Sequence, residues 1–246
     1  MRGDLAVFVA ALGGVLLSML VYRMTPAGRA AGDQTGRGGS FVLGFWVRNW
    51  FYWLIRPVTR TSLALGLTPF FYNALAVVFG AASMAAFIVG ELPGAGWMIL
   101  ASGLADVMDG EVARARGLAD ARGAFLDSTL DRYSEFLAFV GMAWFYRGTV
   151  TALLVLVALG GSLLVSYTRA RGESVGVLCK LGVMQRAERM LLTGVGAIVD
   201  PAVTAAAGWS TGRLLAGIVA LIALGTVATS VYRTVWIARS LSGRGS

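Results

Sequence analysis

Residues 101 to 131 read ASGLADVMDGEVARARGLADARGAFLDSTLD, and this stretch decides the fold because it places acids inside an otherwise apolar chain. Asp106 and Asp109 are three residues apart, and Asp127 and Asp131 are four apart, so each pair shares one face of a helix. Charged side chains at membrane depth are costly and usually mark a functional site. The stretch therefore predicts two adjoining helices whose carboxylates face each other.

The composition of the whole chain is that of a helical membrane protein. Its 246 residues are 57% hydrophobic and 14% charged, with a mean hydropathy of +0.72. A soluble domain carries about 25% charged residues. The net charge of +8 fits basic loops that face anionic headgroups, and we expect no nucleic-acid partner. The absence of His excludes imidazole catalysis, and the single Cys179 excludes an intramolecular disulfide.

The apolar segments predict an all-α polytopic membrane protein with three regions. Residues 1–40 hold an N-terminal transmembrane helix at 5–22, which we read as uncleaved, and a linker from residue 23. Residues 41–60 form an interfacial amphipathic helix, and residues 61–246 form a six-helix transmembrane core. The predicted core spans are 69–89, 94–112, 124–145, 150–167, 190–207 and 214–237.

The segment at 41–60 differs from the spans because tryptophans alternate with arginines. Trp46, Trp50 and Trp53 are suited to the headgroup level of a membrane, where aromatic and basic side chains anchor a helix that lies in the interface. The alternative is an ordinary span interrupted by Arg48.

The positions of the basic residues predict an orientation. If the carboxylate cluster lies on the cytoplasmic side, only Arg2, Arg147 and Arg213 of the 21 basic residues fall outside. We therefore expect the chain in the inner membrane of a bacterial type of cell, with its N-terminus outside and its active site facing the cytoplasm.

The acidic residues predict a site for hard cations. Four facing carboxylates cannot all stay ionised without cations, and oxygen ligands favour Mg²⁺, Mn²⁺ or Ca²⁺ over Zn²⁺. Two such ions held by three of the acids would clamp a pyrophosphate, and the fourth acid would take a proton from an attacking hydroxyl. The alternative is a set of structural ion pairs with nearby arginines.

Two glycines and an arginine fit the same chemistry. Gly110 and Gly123 lack a side chain where a ligand or another backbone approaches, although tight helix packing would also explain them. Arg114 lies about one turn beyond Asp109, where it can meet phosphate charge.

The pattern D106-x2-D109-G110-x2-A113-R114-x8-G123-x3-D127-x3-D131 resembles the motif of the CDP-alcohol phosphotransferase family, over roughly residues 68–237. The resemblance implies transfer of a substituted phosphate from a CDP-linked donor to an alcohol, with release of CMP. It also implies two divalent metals, Mg²⁺ or else Mn²⁺. Asp106, Asp109 and Asp127 would bind them, Asp131 would complete the second site and act as the catalytic base, and the enzyme would be a homodimer.

The resemblance also assigns substrate contacts. Gly110, Arg114 and Gly123 would lie at the CDP donor, together with Pro69 and Asn73 from a segment in which the family often has Thr-Pro-Asn followed by Thr. The loop after the fourth core helix resembles the region that binds the acceptor's phosphate in relatives. Its candidate acceptor-binding residues are Arg169, Arg171, Arg186 and Arg189.

The sequence thus predicts a phosphatidyltransferase that acts on a CDP-lipid such as CDP-diacylglycerol. The residues of the motif and of the Arg-rich loop most resemble those of phosphatidylinositol phosphate synthases. Glycerol phosphate is the second acceptor, and a free alcohol such as inositol or serine is the third. The alternative classes are a membrane transporter with intramembrane acids and a non-catalytic scaffold.

Overall fold

Nine α-helices run through the part of the chain that the structure, a computed structural model, describes: residues 2–30, 44–118, 120–179 and 181–242. The helices are α1 (Arg2–Met24), α2 (Pro26–Ala30), α3 (Gly44–Ala64), α4 (Pro69–Ile88), α5 (Leu92–Arg116), α6 (Ala121–Phe145), α7 (Val150–Ser174), α8 (Arg186–Ala206) and α9 (Arg213–Ser242). The predicted all-α class is confirmed.

Five of the described helices are long and apolar enough to cross a membrane: α1 from Ala6, α4, α7, α8 and α9. The two helices that carry the acidic motif, α5 and α6, have 25 residues each, which is also enough to span a bilayer. Their charged residues make α5 and α6 less apolar than the five helices named above. The predicted total of seven spans therefore stays a prediction.

Several helices extend beyond the spans that the sequence predicted. α7 continues to Ser174 and α9 to Ser242, because the backbone hydrogen bonds continue where the apolar side chains stop. α1 reaches Met24 and α2 follows, so the first part of the predicted linker at 23–40 is helical, while residues 31–40 lie outside the described part. α3 forms the predicted helix at 41–60 from Gly44 onward; its place at the membrane interface is not tested.

The chain divides into two compact units, Met1–Thr68 and Pro69–Ser246. In the first unit, aromatic contacts join α1 to α3. The Tyr22 ring lies 5.5 Å from the rings of both Trp46 and Trp53, and the Trp50 indole donates a hydrogen bond to Ser18 Oγ at 3.1 Å. The predicted regions 1–40, 41–60 and 61–246 stay a prediction.

The second unit is a bundle in which α4 packs against α5 and α6, α5 against α8, and α7 and α8 against α9. Its apolar core includes Phe87, Leu92, Met142 and Leu215, all fully buried. α4 and α6 approach backbone to backbone where Gly80 faces Ser134, because a Cβ at Gly80 would lie 2.8 Å from the Ser134 Cα. This close contact fixes α6, which carries two of the four aspartates.

A buried carboxylate closes the end of the bundle that lies away from the acidic motif. Asp200 of α8 is fully buried and accepts hydrogen bonds from the backbone N–H groups of Gly212, at 2.6 Å, and Leu215, at 2.9 Å. The Tyr146 hydroxyl donates to the Gly212 carbonyl at 2.5 Å. Burial and the nearby Asp200 carboxylate raise the pKa of Tyr146 above its usual value, so the hydroxyl keeps the proton that it donates.

Replacing this carboxylate should destabilise the bundle without touching the acidic motif. Asp200→Ala leaves two buried N–H groups without an acceptor, at a cost of about 3 kcal/mol. For a unit of this size that cost corresponds to a fall in Tm of roughly 5 °C or more, measured by thermal unfolding in one detergent. The exposed Ser128→Ala serves as the control, and equal Tm values for the two variants would contradict the role of Asp200.

Candidate active site

A short turn joins α5 to α6 and places their polar ends side by side. α5 ends at Gly117, whose φ of 66° is left-handed and whose N–H returns to the carbonyls of Ala113 and Arg114. α6 begins after Asp120, whose Oδ1 accepts a hydrogen bond from the Gly123 N–H at 2.6 Å. A glycine at the end of one helix and a capping aspartate at the start of the next explain locally why the chain reverses here.

Three of the four predicted metal ligands meet across this helix pair. One carboxylate oxygen from each of Asp106, Asp109 and Asp127 lies within 4.8 Å of the others. Asp109 is only 4% exposed, and the other two are half-buried. Three converging carboxylates supply the hard oxygen ligands and the negative charge that suit Mg²⁺ or Mn²⁺. The residues present therefore fit a divalent metal.

Asp131 joins the cluster through an arginine. The Arg186 guanidinium, at the start of α8, places Nη1 2.6 Å from Asp106 Oδ2 and 2.9 Å from Asp131 Oδ2. Its Nη2 donates to Ser134 Oγ at 3.2 Å. Arg132 Nη1 lies 3.7 Å from the same Asp131 oxygen. Arg186 thus bridges the two helices that carry the aspartates.

The predicted donor-binding residues lie on α4, on α5 and at the start of α6. The Arg114 guanidinium lies over Gly110, where a Cβ would be 3.1 Å from Nη1, and it pairs with Glu111 at 2.6 Å. The Gly123 N–H is taken by Asp120. Pro69 is the first residue of α4, and Asn73, one turn later, is buried. These positions are compatible with the predicted nucleotide contacts but do not test them.

The four predicted acceptor-binding arginines divide into two kinds. Arg169 and Arg171, in the last turns of α7, are exposed; Arg169 pairs with Glu173 at 3.0 Å, and Arg171 lies 3.4 Å from Ser174 Oγ. Arg186 belongs to the carboxylate cluster, and Arg189 is 2% exposed and pairs with Glu135. The acceptor role of each arginine remains a prediction.

Sequence reasoning missed two buried ionic residues near the site. Glu135 lies four residues after Asp131, a spacing that could have placed it on the same helix face. Arg233 of α9 donates to the carbonyls of Leu181, at 2.6 Å, and Val165, at 2.8 Å, and so fastens the loop between α7 and α8. No local pattern signals that contact, because its partners are backbone groups far away in the sequence.

This geometry defines a helical membrane protein with a hard-cation site at one end of a helix pair, and comparisons with known proteins identify its family. The profile of the CDP-alcohol phosphatidyltransferase family matches residues 54–227. Archaetidylinositol phosphate synthase of Methanothermobacter thermautotrophicus is 38% identical over 149 residues, covering 58% of this chain and 75% of that protein. Phosphatidylinositol phosphate synthase of Mycobacterium tuberculosis is 32% identical over 203 residues, covering 79% and 91%.

Solved structures give the same result. The crystal structure of the Mycobacterium tuberculosis phosphatidylinositol phosphate synthase with CDP-DAG bound superposes with a TM-score of 0.62 at 30% identity, covering 74% of this chain and 92% of that one. The same synthase in complex with manganese and citrate gives a TM-score of 0.62 at 29% identity, covering 74% and 87%.

The chain belongs to the CDP-alcohol phosphatidyltransferase family. It is an integral membrane enzyme of phospholipid biosynthesis that uses a CDP-linked donor, which confirms the predicted class and decides against the transporter and scaffold alternatives. The manganese in the relative and the three converging carboxylates support a divalent metal. α1 and the first part of α3, residues 44–53, lie outside the family match.

The metal site can be tested apart from catalysis. Asp109→Asn removes one charged ligand oxygen from the most buried of the three acids and should weaken Mn²⁺ binding on the order of tenfold or more. Titration of the purified protein, followed by the paramagnetic resonance of free Mn²⁺, measures the affinity. Glu111→Gln, on the same helix and paired with Arg114, is the matched control. Equal affinities in the two variants would remove Asp109 from the metal site.

Proposed function

We propose that this enzyme transfers a phosphatidyl group from CDP-diacylglycerol, or a similar CDP-lipid, to the hydroxyl of inositol phosphate and releases CMP. The observation that carries the proposal is the convergence of Asp106, Asp109 and Asp127, with Asp131 joined to them through Arg186. The named relatives are synthases of inositol phosphate lipids, which supports the choice of acceptor.

The four aspartates divide the work between metal binding and proton transfer. Asp106, Asp109 and Asp127 would hold two Mg²⁺ ions, with Asp131 completing the second site. When bound, the metal neutralises the pyrophosphate and the leaving CMP. The donor's nucleotide would be bound by Gly110, Arg114, Gly123, Pro69 and Asn73.

Asp131 acts as the general base. Its carboxylate accepts the proton of the acceptor hydroxyl, and that hydroxyl's oxygen forms a bond to the lipid-side phosphorus. The bond between this phosphorus and the bridging oxygen breaks, and CMP leaves with the electron pair. Because the proposed mechanism has no covalent bond between protein and substrate, most of the rate enhancement comes from positioning and charge neutralisation.

The exposed arginines at the end of α7 are suited to hold the acceptor's phosphate. Arg169 and Arg171 are exposed, so a water-soluble acceptor can reach them. Arg186 contacts the Asp131 carboxylate, so it would bind the acceptor next to the proposed base. The buried Arg189 has less access. A phosphate-bearing acceptor explains this cationic group better than inositol or serine, and glycerol phosphate is the alternative of the same charge class.

The arrangement in the membrane follows from the same chemistry. We infer that the acidic motif faces the cytoplasm at the inner membrane of a bacterial type of cell, since the basic residues concentrate on that side. α3 would lie in the membrane interface, and residues 1–40 would add one span to the six-helix core of residues 61–246. The family resemblance further suggests a homodimer.

The role of the base predicts a loss confined to turnover. Asp131→Asn keeps an oxygen ligand but cannot take up the proton, so kcat should fall at least ~100-fold while CDP-diacylglycerol still binds. CMP release at saturating substrates measures the effect. Asp120→Asn is the control, because asparagine caps a helix as well as aspartate does. An Asp131→Asn enzyme with full turnover would refute the mechanism.

The choice of acceptor is tested by a panel. Purified enzyme with radiolabelled CDP-diacylglycerol and Mg²⁺ is given inositol phosphate, glycerol phosphate, inositol or serine, and the lipid product is counted. Inositol phosphate should give the product. Arg169→Gln should raise the KM for it roughly tenfold, the worth of one charge-assisted hydrogen bond, without changing the KM for the donor.

The exposed Arg147→Gln, in the turn that follows α6, is the matched control for a lost surface charge. Product from glycerol phosphate alone would favour the second acceptor. Product from uncharged alcohols alone would overturn the assignment of a phosphate-bearing acceptor.

A further inference from the structure

A buried ion pair lies one helical turn from the catalytic carboxylate. The Arg189 guanidinium binds Glu135 with two parallel contacts, Nε to Oε1 at 2.6 Å and Nη2 to Oε2 at 3.0 Å. Its Nη1 donates to the Met184 carbonyl at 3.1 Å. The Glu135 side chain is 4% exposed and that of Arg189 is 2% exposed. Both groups are thus removed from water and fully engaged with each other.

Stability alone does not account for such a pair. Two charges lose their hydration on burial, and well-packed apolar residues of similar volume are often as stabilising as a buried ion pair. Fixed geometry is what a bidentate pair supplies and apolar side chains do not. The location of the pair indicates which geometry is being fixed.

The pair is the second of two parallel connections between α6 and α8. Glu135 follows Asp131 by one turn on α6, and Arg189 follows Arg186 by one turn on α8. Arg186 makes the first connection, to Asp131 and also to Asp106. The second connection therefore sets the rotation and height of the helix turn from which Arg186 projects.

Side chains set the distance between these two helices. α6 packs mainly on α4, and α8 mainly on α5 and α9. A cavity lies among α4, α5, α6 and α8, and its lining from α6 and α8 includes Ser134, Glu135, Arg189 and Thr193. Because little backbone contact joins α6 to α8, the long arginine side chains carry the alignment between them.

We propose that Glu135 and Arg189 are positioning residues for the transfer reaction: their ion pair fixes Arg186, and Arg186 in turn orients the Asp131 carboxylate. The inference rests on the proposed function, in which Asp131 is the base. It assigns a role to Glu135, and it makes Arg189 a residue that acts through Arg186 instead of one that touches the acceptor.

The test separates positioning from stability with two variants of the full-length protein. Glu135→Gln leaves the buried Arg189 without its counter-charge, and both Tm and kcat should fall. The double variant Glu135→Met/Arg189→Met removes both charges, so its Tm should return to within a few degrees of wild type. Its kcat should stay at least tenfold low, with KM for CDP-diacylglycerol and for inositol phosphate within about twofold.

Two kinetic outcomes would overturn the proposal. Wild-type kcat in the double variant would show that the pair serves stability only. An unchanged kcat with a raised KM for the acceptor would make Arg189 an acceptor-binding residue. Asp200→Asn is the control for stability at the other end of the bundle. It should lower Tm but leave kcat unchanged at temperatures below its unfolding transition.

Further measurements keep the proposal falsifiable if the double variant does not fold or the wild type proves inactive. Arg189→Lys keeps the charge but loses the bidentate contact, and it should lower kcat at an unchanged acceptor KM; wild-type kcat would refute the proposal. A structure of a folded pair variant should show the Arg186 guanidinium displaced from Asp131. An undisplaced guanidinium refutes positioning, whereas a wild type that uses no acceptor refutes the proposed function alone.

Discussion

Mutual repulsion among four aspartates is the constraint on which the rest of the bundle depends. The ligand oxygens of Asp106, Asp109 and Asp127 lie within 4.8 Å of one another, and partial burial limits the screening of their charges by water. Such a group stays fully ionised only if cations offset its charge. Arg186 supplies one positive charge between Asp106 and Asp131, and the two divalent metal ions of the proposed reaction would supply the others. The site is therefore built to be completed by a cation.

This constraint explains why the surroundings of α6 differ on its two sides. Toward α4 the backbone itself makes the contact, at Gly80 against Ser134, and no side chain can adjust the spacing. Toward α8 the contact is made by the ion pairs of Arg186 and Arg189, and Arg189 lines a cavity beside α6. Close backbone packing on one side and ion pairs on the other together hold the α6 aspartates in position.

The features that depend on helical periodicity could be predicted from the sequence. The spacing of Asp106 with Asp109 placed both on one face of α5, and the apolar segments identified the core helices, because helical periodicity is a property of neighbours in the chain. The Gly117 and Asp120 turn was also foreseeable in position. The helix ends were not, since α7 and α9 continue into polar residues beyond the apolar limit that marked the predicted spans.

The long-range contacts of the site lay beyond sequence reasoning. The sequence predicted the same acceptor-binding role for Arg186 and Arg189. In the structure, Arg186 contacts the aspartates and Arg189 contacts Glu135. What separates them is which side of α8 faces the cavity, and that depends on packing against α5 and α9. The same reason hid Arg233, whose partners are carbonyls on α7 and in the following loop.

A comparison of Asp200 with the motif aspartates shows why one residue type serves both structure and chemistry here. Both Asp200 oxygens accept backbone N–H groups at the start of α9, so the carboxylate has its hydrogen-bonding capacity filled by neutral donors and needs no metal. Asp106, Asp109 and Asp127 instead bring one oxygen each within 4.8 Å of the others, and the neighbouring groups are carboxylates and the Arg186 guanidinium. The surrounding donors, rather than burial alone, decide whether an aspartate in this bundle fastens two helices or remains available to a cation.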